Sequence, residues 1–191
     1  MSVHEIVTIG DPVLRRPARE VTREELRTPE TQALIDDLIE TKRAADGAGL
    51  AAVQIGEPLR IAVAEVEAPN PRYPYKPPIP LTVMVNPVLE PMGDETFEVN
   101  EGCLSVPDLR GNLNRYVSVR VGYLDRNGNE RDEVFMGLTA GTFQHEVDHL
   151  DGTLFVDRAD PRSLATWEQF DIHQRDEFVE RITEFVARVG S

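Results

Sequence analysis

Apolar positions along the chain fall into patterns of two periods. Leu34, Ile35, Leu38 and Ile39 recur at helical spacing behind Thr28-Pro29-Glu30. That lead-in offers a capping hydroxyl, a proline with its φ already set, and an acid at the positive end of the helix dipole. Gly47 stands where this helix is expected to stop. Strand-like runs rich in Val, Ile and Tyr follow at residues 59–66, 81–85, 117–123 and 133–136, with Asn127-Gly128 as a hairpin turn between the last two. A second helical pattern covers residues 138–150 and ends at Gly152. A third begins at Asp160-Pro161 and runs with interruptions to Gly190, with Leu164, Trp167 and Phe170 as one apolar stripe and Phe178, Ile182, Phe185, Val186 and Val189 as another. Residues 6–17 are mixed and proline-punctuated, and are expected to lie extended over the body.

Helices flanking a strand-rich middle predict an α+β fold. Mixed or antiparallel strands would pack around the helix at 138–150, with one helix N-terminal and another C-terminal to them. The 191 residues suit one domain. Residues 68–80 hold six of the 14 prolines. They cannot be helix or central strand, and predict a stiff surface loop rather than a PxxP ligand.

Charge narrows the function classes. Twenty Lys and Arg against 34 Asp and Glu leave a net charge of −14. A general nucleic-acid binder needs a basic face, and so does a surface that clings to anionic lipid. No apolar run approaches the ~18 residues of a membrane span, and the N-terminal residues carry no signal-peptide pattern. Cytoplasmic residence is therefore expected. The single cysteine, Cys103, excludes an intrachain disulfide.

The chemistry concentrates in Gln144-His145-Glu146-Val147-Asp148-His149, which contains H-E-x-x-H. On a helix, residues four apart share a face, so His145 and His149 can hold one metal while Glu146 reaches a metal-bound water. A catalytic site of this kind needs a third protein ligand. The candidates are a downstream residue, as in metallopeptidases, or Cys103 in Glu101-Gly102-Cys103-Leu104-Ser105. A lone cysteine is otherwise more often a small buried hydrophobe. Residues 47–54, Gly-Ala-Gly-Leu-Ala-Ala-Val-Gln, place two glycines where a backbone can approach a ligand closely, and Gln54 could donate an amide N–H to a developing anion.

These three segments, G-x-G-L-A-A-x-Q, E-G-C-L-S and Q-H-E-x-D-H-L-x-G, stand intact and in order at 47–54, 101–105 and 144–152. Together they resemble the signature of the peptide deformylases, a likeness extending over residues 11–157. Asn86-Pro87 and Arg115 match family positions too. Ala140-Gly141 departs from the Ala-Arg common before the Gln-His-Glu.

The resemblance implies removal of the formyl group from N-formylmethionine on newly made polypeptides. It implies one divalent metal, iron(II) natively, with zinc, nickel or cobalt able to occupy the site. Cys103, His145 and His149 would be the ligands, Glu146 the general base and then acid, and Gln54 with the backbone N–H of Leu104 the oxyanion donors. Gly49, Leu50, Glu101, Gly102 and Arg110 would contact substrate, and Asp148 could support the site from behind. Some family members reach the ribosome through a basic C-terminal helix. Here residues 168–188 carry six acids against three arginines, which argues against that route.

Overall fold

Thr28 caps the first long helix, its hydroxyl accepting from the Thr31 N–H at 3.3 Å, and Pro29 takes the first helical position. In the computed structural model, which describes residues 2–67 and 75–190, this helix is α2 (Pro29–Ala44), preceded by the single turn α1 (Arg23–Leu26). It stops short of Gly47. Asp46 takes the left-handed conformation at φ 51°, and the Gly47 N–H closes the end on the Lys42 carbonyl at 2.9 Å. Gly47 is needed for space instead, since a Cβ there would lie 3.0 Å from Leu104 Cδ1.

Five antiparallel strands form one sheet in the order β1 (Gly49–Ala51), β2 (Ile61–Val66), β3 (Ile79–Pro91), β6 (Ser118–Leu124), β7 (Glu130–Met136). A second sheet orders β4 (Thr96–Cys103), β5 (Val106–Tyr116) and β8 (Ala165–Thr166). The helix α3 (Gly137–Leu150) touches strands of both. Every residue of β2 is buried, because both faces of its sheet are covered. Ile61 and Val63 join Ile35, Leu38, Val83 and Val85 under α2, while Ala62 and Ala64 join Met84, Val121 and Phe143 on the α3 side. Glu65 interrupts this run and is buried only because Lys42 Nζ (2.8 Å) and the Arg43 guanidinium (2.8 and 2.9 Å) meet its carboxylate.

The expected α+β architecture with a central helix is present, and several boundaries differ. β4 and β5 were not legible as strands. Phe97 and Val99 do alternate into the core, but Asn100, Glu101, Gly102, Asp108 and Asn112 break the hydrophobic period. β3 reaches back to Ile79 and so includes Pro80. That is tolerated because β6 pairs with β3 only from Val85 onward, leaving the earlier edge without that partner. Residues 68–74 of the proline-rich stretch lie outside the described residues. Residues 6–17 run extended apart from a short 3₁₀ turn, Pro12–Arg15, capped by Asp11. The C-terminal pattern is not one interrupted helix. A 3₁₀ turn (Pro161–Ser163) and β8 lead into α4 (Trp167–His173) and α5 (Arg175–Val189). Leu164 therefore leaves the proposed stripe and is 38% exposed, whereas Phe170, Phe178, Ile182 and Phe185 pack on Phe97, Val99, Leu113 and Leu138. Among the described residues no helix is long and apolar enough to cross a membrane.

Candidate active site

β4 delivers Cys103 to the middle of the molecule, and a register shift at Gly102/Cys103 turns the chain back into β5. α3 presents His145 and His149 from the opposite side. The donor atoms of the three side chains lie within 4.8 Å of one another, with Cys103 Sγ 3.2 Å from His149 Nε2. A tetrahedral zinc-like ion with Zn–S near ~2.3 Å and Zn–N near ~2.1 Å needs donors roughly 3.5 Å apart, so this cluster fits one metal with little movement. A thiolate with two imidazoles also suits iron, zinc, nickel or cobalt better than magnesium or calcium.

The imidazoles are held unequally. His145 Nδ1 shares a 2.8 Å hydrogen bond with Glu101 Oε2, which leaves Nε2 for the cluster. Glu101 in turn receives the Arg115 fork, Nε to Oε1 at 2.8 Å and Nη2 to Oε2 at 2.9 Å. Arg115 Nη1 continues to Asp148 Oδ2 at 2.5 Å, and Arg158 closes the chain on Asp148 at 2.8 and 2.9 Å. Burial opposes charge on Glu101, but Arg115 and His145 outweigh it and keep the carboxyl far below its usual range. Burial likewise opposes a proton on His145, and the Cys103 and Glu101 partners overcome it. His149 is pushed well below its ordinary value by burial and by His145, so it stays a neutral donor. Asp148 thus stands behind the cluster, bound to Arg115 and Arg158.

Glu146 is 3% exposed, and its Oε2 is a buried oxygen without a hydrogen-bond partner. Burial raises its carboxyl to about 7, where it can take or release a proton near neutrality. Its room comes from Gly49. A Cβ at that position would overlap Glu146 Oε1 and lie 2.5 Å from Cδ. Gln54 sits in a 3₁₀ turn (Ala52–Ile55), where its Oε1 accepts from the Ala51 N–H at 2.9 Å. That fixes its Nε2 toward Ser105 Oγ at 3.1 Å and Cys103 Sγ at 3.7 Å. The N-terminal strap joins the same two loops from outside, Val7 N–H to the Gln54 carbonyl and Ile9 N–H to that of Ser105.

A cavity opens beside this cluster, lined by residues 47–49, by Glu101, Gly102, Cys103 and Leu104 and by Glu146. Arg110 reaches it as well, but its guanidinium is held by Asn100 at 2.6 and 2.9 Å and stacked 4.1 Å from the Trp167 ring and 4.4 Å from that of Phe170. Leu50 does not belong there. Strand alternation turns its side chain away from its neighbours into the core under α2, where it is fully buried and does not line the cavity. Gly102 also clears space for the C-terminal segment, since a Cβ would lie 3.2 Å from Trp167 Cζ2. Sequence reasoning did not single out Asn100, Tyr75 or Lys76, and it placed Trp167 in an apolar stripe, whereas its ring stacks on Arg110.

The polypeptide deformylase family model matches residues 3–165. The chain belongs to the polypeptide deformylase family. A peptide deformylase of Leptospira biflexa is 42% identical over 169 residues, covering 88% of this chain and 94% of that one. Peptide deformylase 1 of Prochlorococcus marinus is 45% identical over 158 residues, 83% of this chain and 81% of its own. Among solved structures, the Met-Ala-Ser-bound class I type b peptide deformylase of Acinetobacter baumannii matches with a TM-score of 0.79 at 39% identity, covering 82% of this chain and 98% of that one. The actinonin complex of the Synechococcus elongatus deformylase matches at 0.72 and 32% identity over 98% of this chain and 86% of that one. As a deformylase the protein is a hydrolase that removes the N-formyl group from nascent peptides. Its α4 and α5 lie beyond the residues matched by the family model.

Proposed function

We propose that the chain hydrolyses the formyl amide of N-formylmethionyl peptides at one divalent metal held by Cys103, His145 and His149, with iron(II) as the native ion. The observation that carries this reading is the convergence of those three donors beside Glu146, whose buried Oε2 has no hydrogen-bond partner among the described residues, in a cavity also lined by Gly47 and Gly49. The bound metal would supply an acidified water and polarise the formyl oxygen.

The chain's own residues do the rest. Glu146 Oε2 accepts the water proton and returns it to the departing amine nitrogen. The Gln54 Nε2–H and the Leu104 backbone N–H aim at the oxygen that gains charge. Glu101, charged and fixed by Arg115, keeps the His145 Nδ1 proton and so turns Nε2 toward the ion. β1 pairs with β2 along one edge only, and Gly49 leaves the other edge free to bind the substrate backbone as an added strand. The tripeptide held by the Acinetobacter baumannii enzyme supports a peptide of that length as ligand.

The site asks for reducing surroundings, in keeping with a cytoplasmic enzyme, since a thiolate ligand is lost on oxidation. The acidic α5 favours capture of substrate by diffusion over docking on the ribosome. The test is formate release from formyl-Met-Ala-Ser together with metal analysis of the same anaerobic sample. Formate release by metal-loaded protein, with metal lost in Cys103→Ala, is the expected result. Cleavage of unformylated peptides, with metal retained in Cys103→Ala, would instead favour a peptidase.

A further inference from the structure

The cavity holds a second cation that the hydrolytic residues do not account for. Lys76 lies within the proline-rich stretch, just before Pro77-Pro78, and lines the cavity together with Tyr75. Tyr75 is pinned to α5 by an edge-on contact with Phe178, ring centroids 5.2 Å apart. Lys76 Nζ donates to Thr142 Oγ1 at 3.0 Å, and that hydroxyl donates onward to the Leu138 carbonyl at 3.1 Å. Beside it, Gly141 leaves room. A Cβ there would meet only Phe97 Cζ, at an ordinary 3.5 Å.

Thr142 stands three residues before His145 on α3, so the Lys76–Thr142 pair lines the cavity from the same stretch of helix that carries His145 and Glu146. In the reading above, the substrate backbone would add along the edge of β1 that β2 leaves unpaired. The part of a formyl-peptide that can reach it is the first side chain, whose four-atom length spans about 5 Å when extended. Val99 and Leu138 give this cavity apolar walls, yet Lys76 and Thr142 add an ammonium and a hydroxyl to its lining.

We infer that Lys76 is a specificity-determining residue, placing a hydrogen-bond donor at the end of the first side-chain pocket so that the enzyme accepts formyl-peptides whose first side chain ends in an acceptor. The substrate class this adds is formyl-methionine sulfoxide peptides, whose S=O oxygen is a strong acceptor where the thioether sulfur of methionine is a weak one. An ammonium carries three N–H donors and can serve Thr142 and such an oxygen together. The inference rests on the deformylase reading above.

The test compares kcat/KM for formyl-norleucine-, formyl-Met- and formyl-(methionine sulfoxide)-Ala-Ser in the wild type, Lys76→Met and Lys76→Arg. The sulfoxide-to-norleucine ratio is expected to fall by about tenfold or more in Lys76→Met, the order lost with one charge-assisted hydrogen bond. Formyl-Met should fall in between, and Lys76→Arg should restore most of the ratio. Thr142→Val, which removes the anchoring hydroxyl from the other wall, should move the ratio the same way. An unchanged ratio overturns the inference. So does an equal loss on all three substrates, which would place Lys76 in the chemistry or the fold. Failure of the wild type on every formyl-peptide would defeat the underlying reaction instead.

Discussion

Gly49→Ala is the smallest change that should disable the site without touching a metal ligand. The added methyl would overlap Glu146 Oε1 and stand 2.5 Å from Cδ and 2.8 Å from Cγ, against 3.4 Å or more for ordinary contact. The carboxylate must therefore retreat by about 1 Å, because the methyl sits on backbone while Glu146 is the free end of a side chain. A displacement of ~1 Å in a proton-transferring group costs about 10²-fold in rate, or ~2.7 kcal/mol of barrier. We expect kcat for formyl-Met-Ala-Ser to drop by that order while metal content stays at the wild-type level and the melting temperature moves little. The assay is steady-state formate release with metal analysis and a thermal melt on the same preparation. Wild-type kcat in Gly49→Ala would refute the argument that Gly49 exists to make room for the base.

Arg115→Met removes the cation bridging Glu101 and Asp148 and leaves these two poorly exposed carboxylates to His145 and to the half-exposed Arg158. A loss of about 3–5 kcal/mol in urea unfolding and metal binding weaker by roughly 10–100-fold in a chelator titration are expected, and unchanged values in both would contradict the network's role. Glu65 is held at about 2 chiefly by the Arg43 hydrogen bonds, against burial and with help from Lys42. Its folded value lies below the unfolded 4.5, so its contribution is complete above pH 4.5 and drains away as pH falls toward 2. Solvent screening at the half-exposed Arg43 trims that contribution, which reaches at most about 3 kcal/mol. Denaturant melts at pH 6 and pH 3 should show a smaller difference in Glu65→Gln than in the wild type, and equal differences would remove Glu65 from the acid response.

The α+β class was legible in the sequence, and the fold brings the candidates Cys103, His145 and His149 together, while several element boundaries were not legible. His145 and His149 could be read because helical period puts residues four apart on one face, with Glu146 next to the first of them, and Cys103 entered as the third ligand through the resemblance that the E-G-C-L-S motif carries. β4 and β5 escaped for the same reason that they matter. Their core-facing residues alternate, but Glu101, Gly102 and Arg110 stand where a strand would otherwise carry apolar side chains. Leu50 was misplaced by proximity in sequence, since period-two geometry sends it opposite to Gly49. Glu101 reads from the motif as a substrate contact, and only the three-dimensional path from Arg158 through Asp148 and Arg115 reveals it as the partner that fixes His145. Lys76 carried no signal at all. Nothing local links a lysine within a run of prolines to Thr142 on a helix 66 positions away.

In the proposed reaction Glu146 moves the proton while three other side chains hold the metal. Glu146→Gln keeps the shape and removes the base, so the decisive measurement is formate release and metal content in that variant side by side with the wild type. A fall of about 10² or more in turnover with metal retained at the wild-type level is the predicted result. Turnover equal to that of the wild type would contradict it.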